Sequence, residues 1–454
     1  MPAPPAGATI RPPPRSRAHQ RPTNTTRRAT EPRIATNRST RRRSPLTVLQ
    51  WLIAVGSILA VLAWAAVRLA SDRYAWSQQL SWAPPAGVML GLGLVGMLSL
   101  LFGLRPPRRA HTRTSRSRSN QSRTAAAACR LAAIAACAAI AYIAVADFRP
   151  HRVITASKPE ARAADLRVLF WNGGNEQMRA DALRTFTAGP NALGADLVLL
   201  TSPNWWTIRW GGHTLMQEIN AELAEHETGF LRSGRFLAAS SLPIRRYALV
   251  NAGPVAPEER LPIVASGGTA SNAAMLWLEL DASRRGGPAD LSVWLVDLPS
   301  DVRLRRTAVV DGLVEAAAAI QTVMGPDAVG GFSPHEGKVA PPDIVIGDMN
   351  TPAGSASLGR FGTPFEQPLT EAHTQAGVGL GATWPTTTRE RQRLPRWLDT
   401  PLASWRIDQA LLGPRTRATW SVTEPWGKTG HNAIRIGIAF TPFGEFTPAR
   451  LKPQ

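Results

Sequence analysis

The sequence predicts a three-span membrane anchor followed by an α/β domain built from two packed β-sheets with helices outside. Three observations predict it. Three long apolar runs crowd the first third of the 454 residues. From residue 166 onward, β-branched and alternating runs are interspersed with segments of helical period, the texture of layered sheets and helices. The formal net charge of +20 is concentrated in two Arg-rich segments, about +10 in residues 1–45 and +7 in residues 105–123, so the remainder is near neutral. Such a distribution describes basic flanks of a membrane region. It does not describe the basic stripe of a nucleic-acid-binding face, and no specific nucleic-acid partner is expected.

Residues 1–45 hold eleven arginines against Glu31, are rich in Pro, Ser and Thr, and lack apolar periodicity. They are expected to form a disordered cytoplasmic tail beside anionic lipid head groups. The run 46–70 carries a single charge, Arg68, and is long enough to cross a bilayer and too long for a secretory signal core. Residues 71–87 read as a short polar loop whose Tyr74, Trp76 and Trp82 suit the membrane interface. A second, Gly-rich span is expected over 82–104, then the basic cytoplasmic loop 105–123, then an Ala-rich run over 125–148. Arg130 in that run reaches the basic loop by snorkelling. Its lower hydropathy leaves two readings, a third span or a helix packed on the other two. Cys129 and Cys137 are eight residues apart, about 12 Å along a helix, which is too far for a disulfide between them. Arg-rich segments stay in the cytoplasm. Three spans within 46–148 then make a multi-pass protein of the cytoplasmic (inner) membrane, with everything after residue 148 extracytoplasmic and the lipid bilayer as a partner. Three helices are too few to enclose a transport path.

A polar linker is expected over 149–165, the folded domain over 166–440 and a loose tail over 441–454. Strands are expected at 166–171, 196–201, 236–241, 246–251, 273–280, 291–298, 343–346, 407–412 and 433–440. Leu215, Ile219 and Leu223 stand at four-residue steps and predict an amphipathic helix over 214–225, and residues 303–324 read as a long Ala-rich helix. The run Ile344-Val-Ile346 suits a buried central strand. Gly347 frees the backbone at its end, Asp348 and Asn350 follow, and Pro352 stops further extension. An acceptor and an amide at the edge of a sheet read either as an ordinary Asx turn or as the rim of a pocket.

Several segments then fall in order: the strand ending at Asn172, the strand ending at Ser202, Phe236 to Ile244, the strand ending at Asp297, Gly347-Asp-Met-Asn350, Thr383-Trp-Pro385, Arg406-Ile-Asp408 and Thr429-Gly-His-Asn432. In this order the chain resembles the endonuclease/exonuclease/phosphatase superfamily of nucleases, sphingomyelinases and inositol-phosphate phosphatases. The resemblance implies a four-layer α/β-sandwich with two central mixed sheets. It implies that Asp348 orients or deprotonates an attacking water, that Asn350 holds that water or a phosphate oxygen, and that His431 bonds the phosphoryl oxygen with Asp408 behind it. It also implies Mg2+ or Mn2+ beside Asn172. A carboxylate behind an imidazole fixes its tautomer and favours its charged form, which suits charge growing on phosphate oxygens.

The chain departs from the family where the metal binds. Ser202 stands where the family carries a metal-binding glutamate, Gly430 stands in place of the aspartate of Ser-Asp-His, and Asp297 stands where many members have histidine. A hard divalent cation wants carboxylate oxygens, so the metal is expected to be weak or absent. Asp297 restores one anionic ligand or is a plain strand-end residue. Asp408 backs His431 or pairs with Arg406. Trp205, Trp206 and Trp210 form an aromatic lip or pack under a loop. The function implied is a membrane-anchored extracytoplasmic phosphoesterase that hydrolyses a phosphodiester or phosphomonoester by metal-assisted attack of water. The alternative is a catalytically inactive member serving as a binding or scaffold domain at the membrane.

Overall fold

The computed structural model describes residues 45–105, 115–150, 152, 163–173, 193–201, 209–210, 213–214, 229–253, 272–327, 331–386, 403–426 and 430–441. The first helices are α1 (Pro45–Ala70), α2 (Ala75–Ser81), α3 (Pro85–Leu104) and α4 (Ser115–Ile143), the last prolonged by a π-helical turn over Ala144–Phe148. Three of these elements are long and apolar enough to cross a membrane: α1, α3 and the stretch Asn120–Phe148. Several polar groups inside the bundle are paired between helices. Ser57 and Ser99 hydroxyls lie 2.7 Å apart, Gln50 Nε2 donates to Phe102 O at 2.9 Å, and Cys129 Sγ donates to Gln50 O at 3.2 Å. A Cβ on Gly96 would stand 3.1 Å from that of Ala136, so α3 and α4 meet through small residues. Arg130 Nε donates to Gly103 O at 3.0 Å, satisfying the last turn of α3. Arg68 is ion-paired with Asp147 at the far end of the bundle. Both cysteines are free.

Two expectations in this region need correction. Residues 75–81 form a helix where a loop was expected: Ser77 and Tyr74 close its first turn, and Gln78 is buried against the folded domain. The second span accordingly starts at Pro85. The third long helix starts at Ser115, inside the expected basic loop, because no proline or glycine follows Pro107 to stop it. The tail 1–44, the loop residues 106–114 and most of the linker lie outside the described residues.

The domain contains β1 (Leu166–Asn172), β2 (Leu197–Thr201), β3 (Arg209–Trp210), β4 (His213–Thr214), β5 (Gly229–Ser233), β6 (Phe236–Ser240), β7 (Ile244–Asn251), β8 (Ala274–Leu280), β9 (Leu291–Asp297), β10 (Thr322–Pro326), β11 (Phe332–Glu336), β12 (Ile344–Asp348), β13 (Thr370–Glu371), β14 (Asp408–Leu412), β15 (Thr416–Glu424) and β16 (Ala433–Phe440), with helices α5 (Arg306–Ala318) and α6 (Ala372–Ala376). One sheet runs β15-β16-β1-β2-β6-β5, the other β11-β10-β7-β8-β9-β12-β14-β13, and β3–β4 is a separate ribbon. Each large sheet is mixed: β1–β2 and β9–β12 are parallel, the remaining pairs antiparallel. The two sheets pack face to face, with Phe170, Leu199 and Ala238 of one against Leu276, Leu295 and Ile346 of the other. The outer face of the larger sheet, Trp277, Trp294 and Val345, is covered by Val310 and Leu313 of α5 and by Phe361. Burial on both faces explains why these strands read as unbroken apolar runs.

The expected long helix over 303–324 ends at Ala318, and Thr322–Pro326 is a strand. Thr322 and Val323 favour extended backbone, and Met324 pairs with Tyr247 at the edge of the larger sheet. Strands β5, β11, β13 and β15 were not expected from the sequence. The helix expected over 214–225 and the tail from 442 onward lie outside the described residues.

The segment after α1 is fastened to the loop edge of the larger sheet. Asp72 accepts the N–H and hydroxyl of Ser357, and Ser71 Oγ donates to Gly354 O at 3.2 Å. Gln78 donates to Leu304 O at 2.8 Å and accepts the Arg306 N–H at 3.0 Å, capping α5 from another part of the chain. Trp405 Nε1 donates to Trp82 O at 2.8 Å. After α4, Arg149 donates to His373 O at 3.3 Å and to Thr374 Oγ1 at 3.1 Å. The domain therefore meets the end of α1, the start of α3 and the end of α4, whereas the Arg-rich segments adjoin the opposite helix ends.

Gly347 is where the central ladder leaves no room for a side chain: a Cβ there would lie 1.9 Å from the carbonyl oxygen of Val296 on β9. Gly347→Ala is expected to destabilise the protein by about 3 kcal/mol, whereas Gly312→Ala on α5, with open space around it, stays within about 1 kcal/mol of the parent and on the stable side. Thermal unfolding of the two variants in detergent checks this; equal midpoints would contradict the described register of β9 and β12.

Candidate active site

Strand β12 lies between β9 and β14, and the register of both pairings places Asp348 opposite Asp297 on one side and Asp408 on the other. All three aspartates are buried. From the facing sheet, β1 ends at Asn172, whose Nδ2 donates to Asp348 Oδ2 at 2.7 Å. The Asn350 N–H donates to Asp348 Oδ1 at 2.9 Å, so each carboxylate oxygen accepts a bond. Asn350 takes a left-handed backbone conformation at φ 43°, which asparagine tolerates better than most residues, and its Nδ2 donates to Leu298 O at 2.7 Å. The turn after β12 is therefore an Asx turn, and it also forms one wall of the site.

His431 Nδ1 lies 2.8 Å from Asp408 Oδ2. The loops that hold this pair are bonded to one another. Thr383 Oγ1 accepts the N–H groups of Ile407 at 3.1 Å and Asp408 at 3.0 Å, while Thr383 O accepts the Asn432 N–H at 2.8 Å. The N–H of Thr386 donates to Gly430 O at 3.0 Å, and Trp171 Nε1 donates to His431 O at 3.3 Å. Asp348, Asp408 and His431 thus offer ligand atoms within 4.8 Å of one another.

The electrostatics are those of negative charge held in a dry place. Burial, and next the charge of Asp408, hold the Asp348 carboxyl well above the usual carboxylate range, while His431 acts in the opposite direction. Arg306 lies nearby and is fully buried; burial draws its guanidinium down to about 10, against the upward pull of Asp348 and then Asp301. Its Nη1 donates to Pro299 O at 2.6 Å and its Nη2 to Asp301 O at 3.1 Å, so it also braces the loop after β9.

The structure thus brings Asn172, Asp348, Asn350, Asp408 and His431 to one edge of the sandwich. The pairing of Asp408 with Arg406 is not found: Arg406 is bonded to Glu371, and Asp408 to His431. Asp297 stands at the same edge, with its Oδ2 3.0 Å from Arg235 Nε and its carbonyl accepting from Arg235 Nη2 at 3.1 Å. Sequence reasoning missed Arg235, Arg306 and the clamp made by Thr383. Arg235 follows Gly234 in the tight turn before β6, and only its adjacency to a strand end could have marked it. Ser202, Trp205, Trp206 and Thr429 lie outside the described residues, and Trp210 is placed on the two-residue strand β3.

For Mg2+ or Mn2+ the fit is partial. Negative charge is in excess: two buried carboxylates face each other, and Asp408 Oδ1 is buried with no partner among the described residues. Against this, Gly430 offers no side chain and Asp297 is engaged by Arg235. Asp348 together with Asn172 would hold such an ion, with one carboxylate where hard cations commonly take one or two beside water and substrate oxygens.

No family profile matches the chain, and no curated protein matches it. Solved structures do match it, several of them described as endonuclease/exonuclease/phosphatase family proteins. They include a mannosyl-6-phosphatase of Bacteroides thetaiotaomicron, at 11% identity over 61% of this chain and 100% of that one, TM-score 0.38. A second is an endonuclease/exonuclease/phosphatase of Beutenbergia cavernae, at 15% identity over 61% of this chain and 72% of that one, TM-score 0.37. A third is the human Nocturnin catalytic domain with bound sulfate, at 13% identity over 61% of this chain and 93% of that one, TM-score 0.36. The chemistry of the site is read from this chain's own residues.

Because native Asp348 binds its proton more tightly than the unfolded chain does, it stabilises the fold least once it is ionised. Its contribution falls as pH rises from about 4, the unfolded carboxyl pKa, until the native carboxyl has lost its proton. Asp348→Asn is expected to remove this downward slope, so that the variant gains on the parent as pH rises. Unfolding midpoints across that range check it; parallel profiles would contradict the raised affinity for the proton.

Proposed function

We propose that the protein is a membrane-anchored phosphoesterase whose domain lies outside the cytoplasm and hydrolyses a phosphate ester by attack of water. The observation that carries this reading is the bond of His431 to the buried Asp408, which lies on the strand beside Asp348. Phosphoryl transfer needs a nucleophile positioned in line and positive hydrogen-bond donors at the oxygens where charge collects. Asp348, made more basic by burial and by Asp408, accepts a proton from a water on the substrate side. Asn172 and Asn350 fix the rotamer of that carboxylate through one bond to each oxygen. Asp408 accepts from Nδ1–H of His431, and in the protonated ring Nε2 is the second donor, offered to the phosphoryl oxygens. A divalent ion, when bound beside Asp348 and Asn172, supplies charge neutralisation of the phosphate. The extracytoplasmic placement is supported by the domain's contact with the helix ends opposite the Arg-rich segments, which favour the cytoplasm.

One observation favours a second reading, a scaffold domain without catalysis. Arg235 occupies Asp297, which removes a carboxylate that a metal would otherwise use.

The full chain in detergent or nanodiscs is expected to hydrolyse a generic phosphodiester or phosphomonoester, with Mg2+ or Mn2+ raising the rate. Asp348→Asn and His431→Ala each lower kcat by about 10²- to 10⁴-fold, and Asp408→Asn lowers kcat with little change in KM and shifts the acid limb of the pH profile downward. Absence of turnover in a folded parent protein, with no metal uptake at millimolar concentration, would establish the scaffold reading instead.

A further inference from the structure

A cavity of about 280 Å³ lies where the spans meet the domain. Its membrane side is walled by Trp64 and Val67 of α1, Val88 of α3 and Ile143 of α4. Its other wall is formed by residues 352–355, by Leu380 and Ala382, and by residues 404–406. These three loops adjoin Asn350, Thr383 and Asp408 of the site. Pro352 is two residues beyond Asn350, Ala382 precedes Thr383, whose hydroxyl accepts the Asp408 N–H, and Arg406 is two residues before Asp408. Two residues of extended chain reach about 7 Å. The apolar space and the phosphate-handling edge therefore share their walls, and that shared wall is bolted to the spans by Ser71, Asp72 and Trp82.

A substrate drawn from water has no use for an apolar chamber built jointly from membrane helices and site loops. A substrate drawn from the bilayer has. The cavity's size is near the lower end of the roughly 300–1,000 Å³ of small-molecule pockets, room for part of one hydrocarbon chain and not for a whole amphiphile. The Arg68–Asp147 ion pair, Ser71 and Arg406 stand in the same lining and give it a polar part. We infer that the substrate is a membrane lipid phosphoester, with the first segment of its acyl or prenyl chain in this cavity and its phosphate at Asn350 and His431. This rests on the phosphoesterase reading above, but the chain-binding half is separable from it.

The test uses the full chain in nanodiscs and two readouts. The first is photocrosslinking with a phosphatidic acid whose acyl chain carries a diazirine, mapped by peptide mass spectrometry. Labelling is expected on the cavity-lining faces of α1 and α3, is competed by unlabelled long-chain phosphatidic acid, and is reduced at least tenfold by Val67→Trp. Leu62→Trp, on the exposed face of α1, leaves it unchanged. Labels scattered over the outward faces and insensitive to Val67→Trp would overturn the inference, whether or not the protein is an active enzyme. The second readout compares hydrolysis of long-chain and dibutyryl phosphatidic acid. Val67→Trp is expected to raise KM for the long-chain substrate about tenfold and leave the short-chain one unaffected. Equal turnover of both, indifferent to the variant, would overturn the lipid assignment and leave the phosphoesterase standing. Loss of all turnover with cavity labelling intact would overturn the phosphoesterase alone.

Discussion

The site depends on the bond that seats the buried Asp408, at the start of β14, against His431. A charge buried without partners costs several kcal/mol, so the fold must supply partners or lose the charge. It supplies one through His431, at 2.8 Å. That bond fixes where the loop after residue 426 has to return, and the ties from Thr383 and Thr386 to Asn432 and Gly430 hold it there. It also sets the problem of Asp348, which faces Asp408 across one rung of the ladder. Burial and the charge of Asp408 raise the cost of ionising Asp348, and His431 and the Asn350 N–H moderate the effect. A carboxyl kept reluctant to ionise is a better base than a solvated one. The strain of the arrangement and its chemical usefulness have the same electrostatic source.

The anchor is part of this arrangement and not an appendage to it. Gln78 closes the first turn of α5, and the same helix begins with Arg306, which braces the loop after β9. Asp72 and Ser71 hold the loop that follows Asn350. N-terminal helices, bracing cation and site loop thus form one connected set of hydrogen bonds, many of them buried and therefore stronger than their solvent-exposed counterparts. Removing the N-terminal helices would uncover Trp405 and strip a cap from α5, so the domain depends on them structurally.

Much of this was legible in the sequence for physical reasons. The spans announce themselves through length and lack of charge, and the central strands through unbroken β-branched runs. The run Ile344-Val-Ile346 followed by Gly, Asp and Asn is informative because only glycine fits against Val296 and asparagine tolerates the conformation that follows. The family resemblance carried by the ordered motifs implied a shared site for Asn172, Asp348, Asn350, Asp408 and His431, and the structure sets these five at one edge. What the sequence hid were partners set by tertiary contact. Nothing local says that Arg235 reaches Asp297, that Arg406 turns away to Glu371, or that Gln78 in an apparent loop caps a helix more than 200 residues later. The helix expected over 303–324 was read from alanine content, and a strand edge on β7 overrode that propensity at its end.

The central claim is that Asn172, Asn350, His431 and Asp348 surround one phosphate-sized position at one edge of the sandwich. An experimental structure of the full chain in nanodiscs with orthovanadate tests it directly. The account predicts a single vanadate whose oxygens contact His431 and Asn350, with Asp348 facing its apical oxygen. Vanadate bound elsewhere on the domain, with this edge empty at concentrations that saturate the protein, would contradict it.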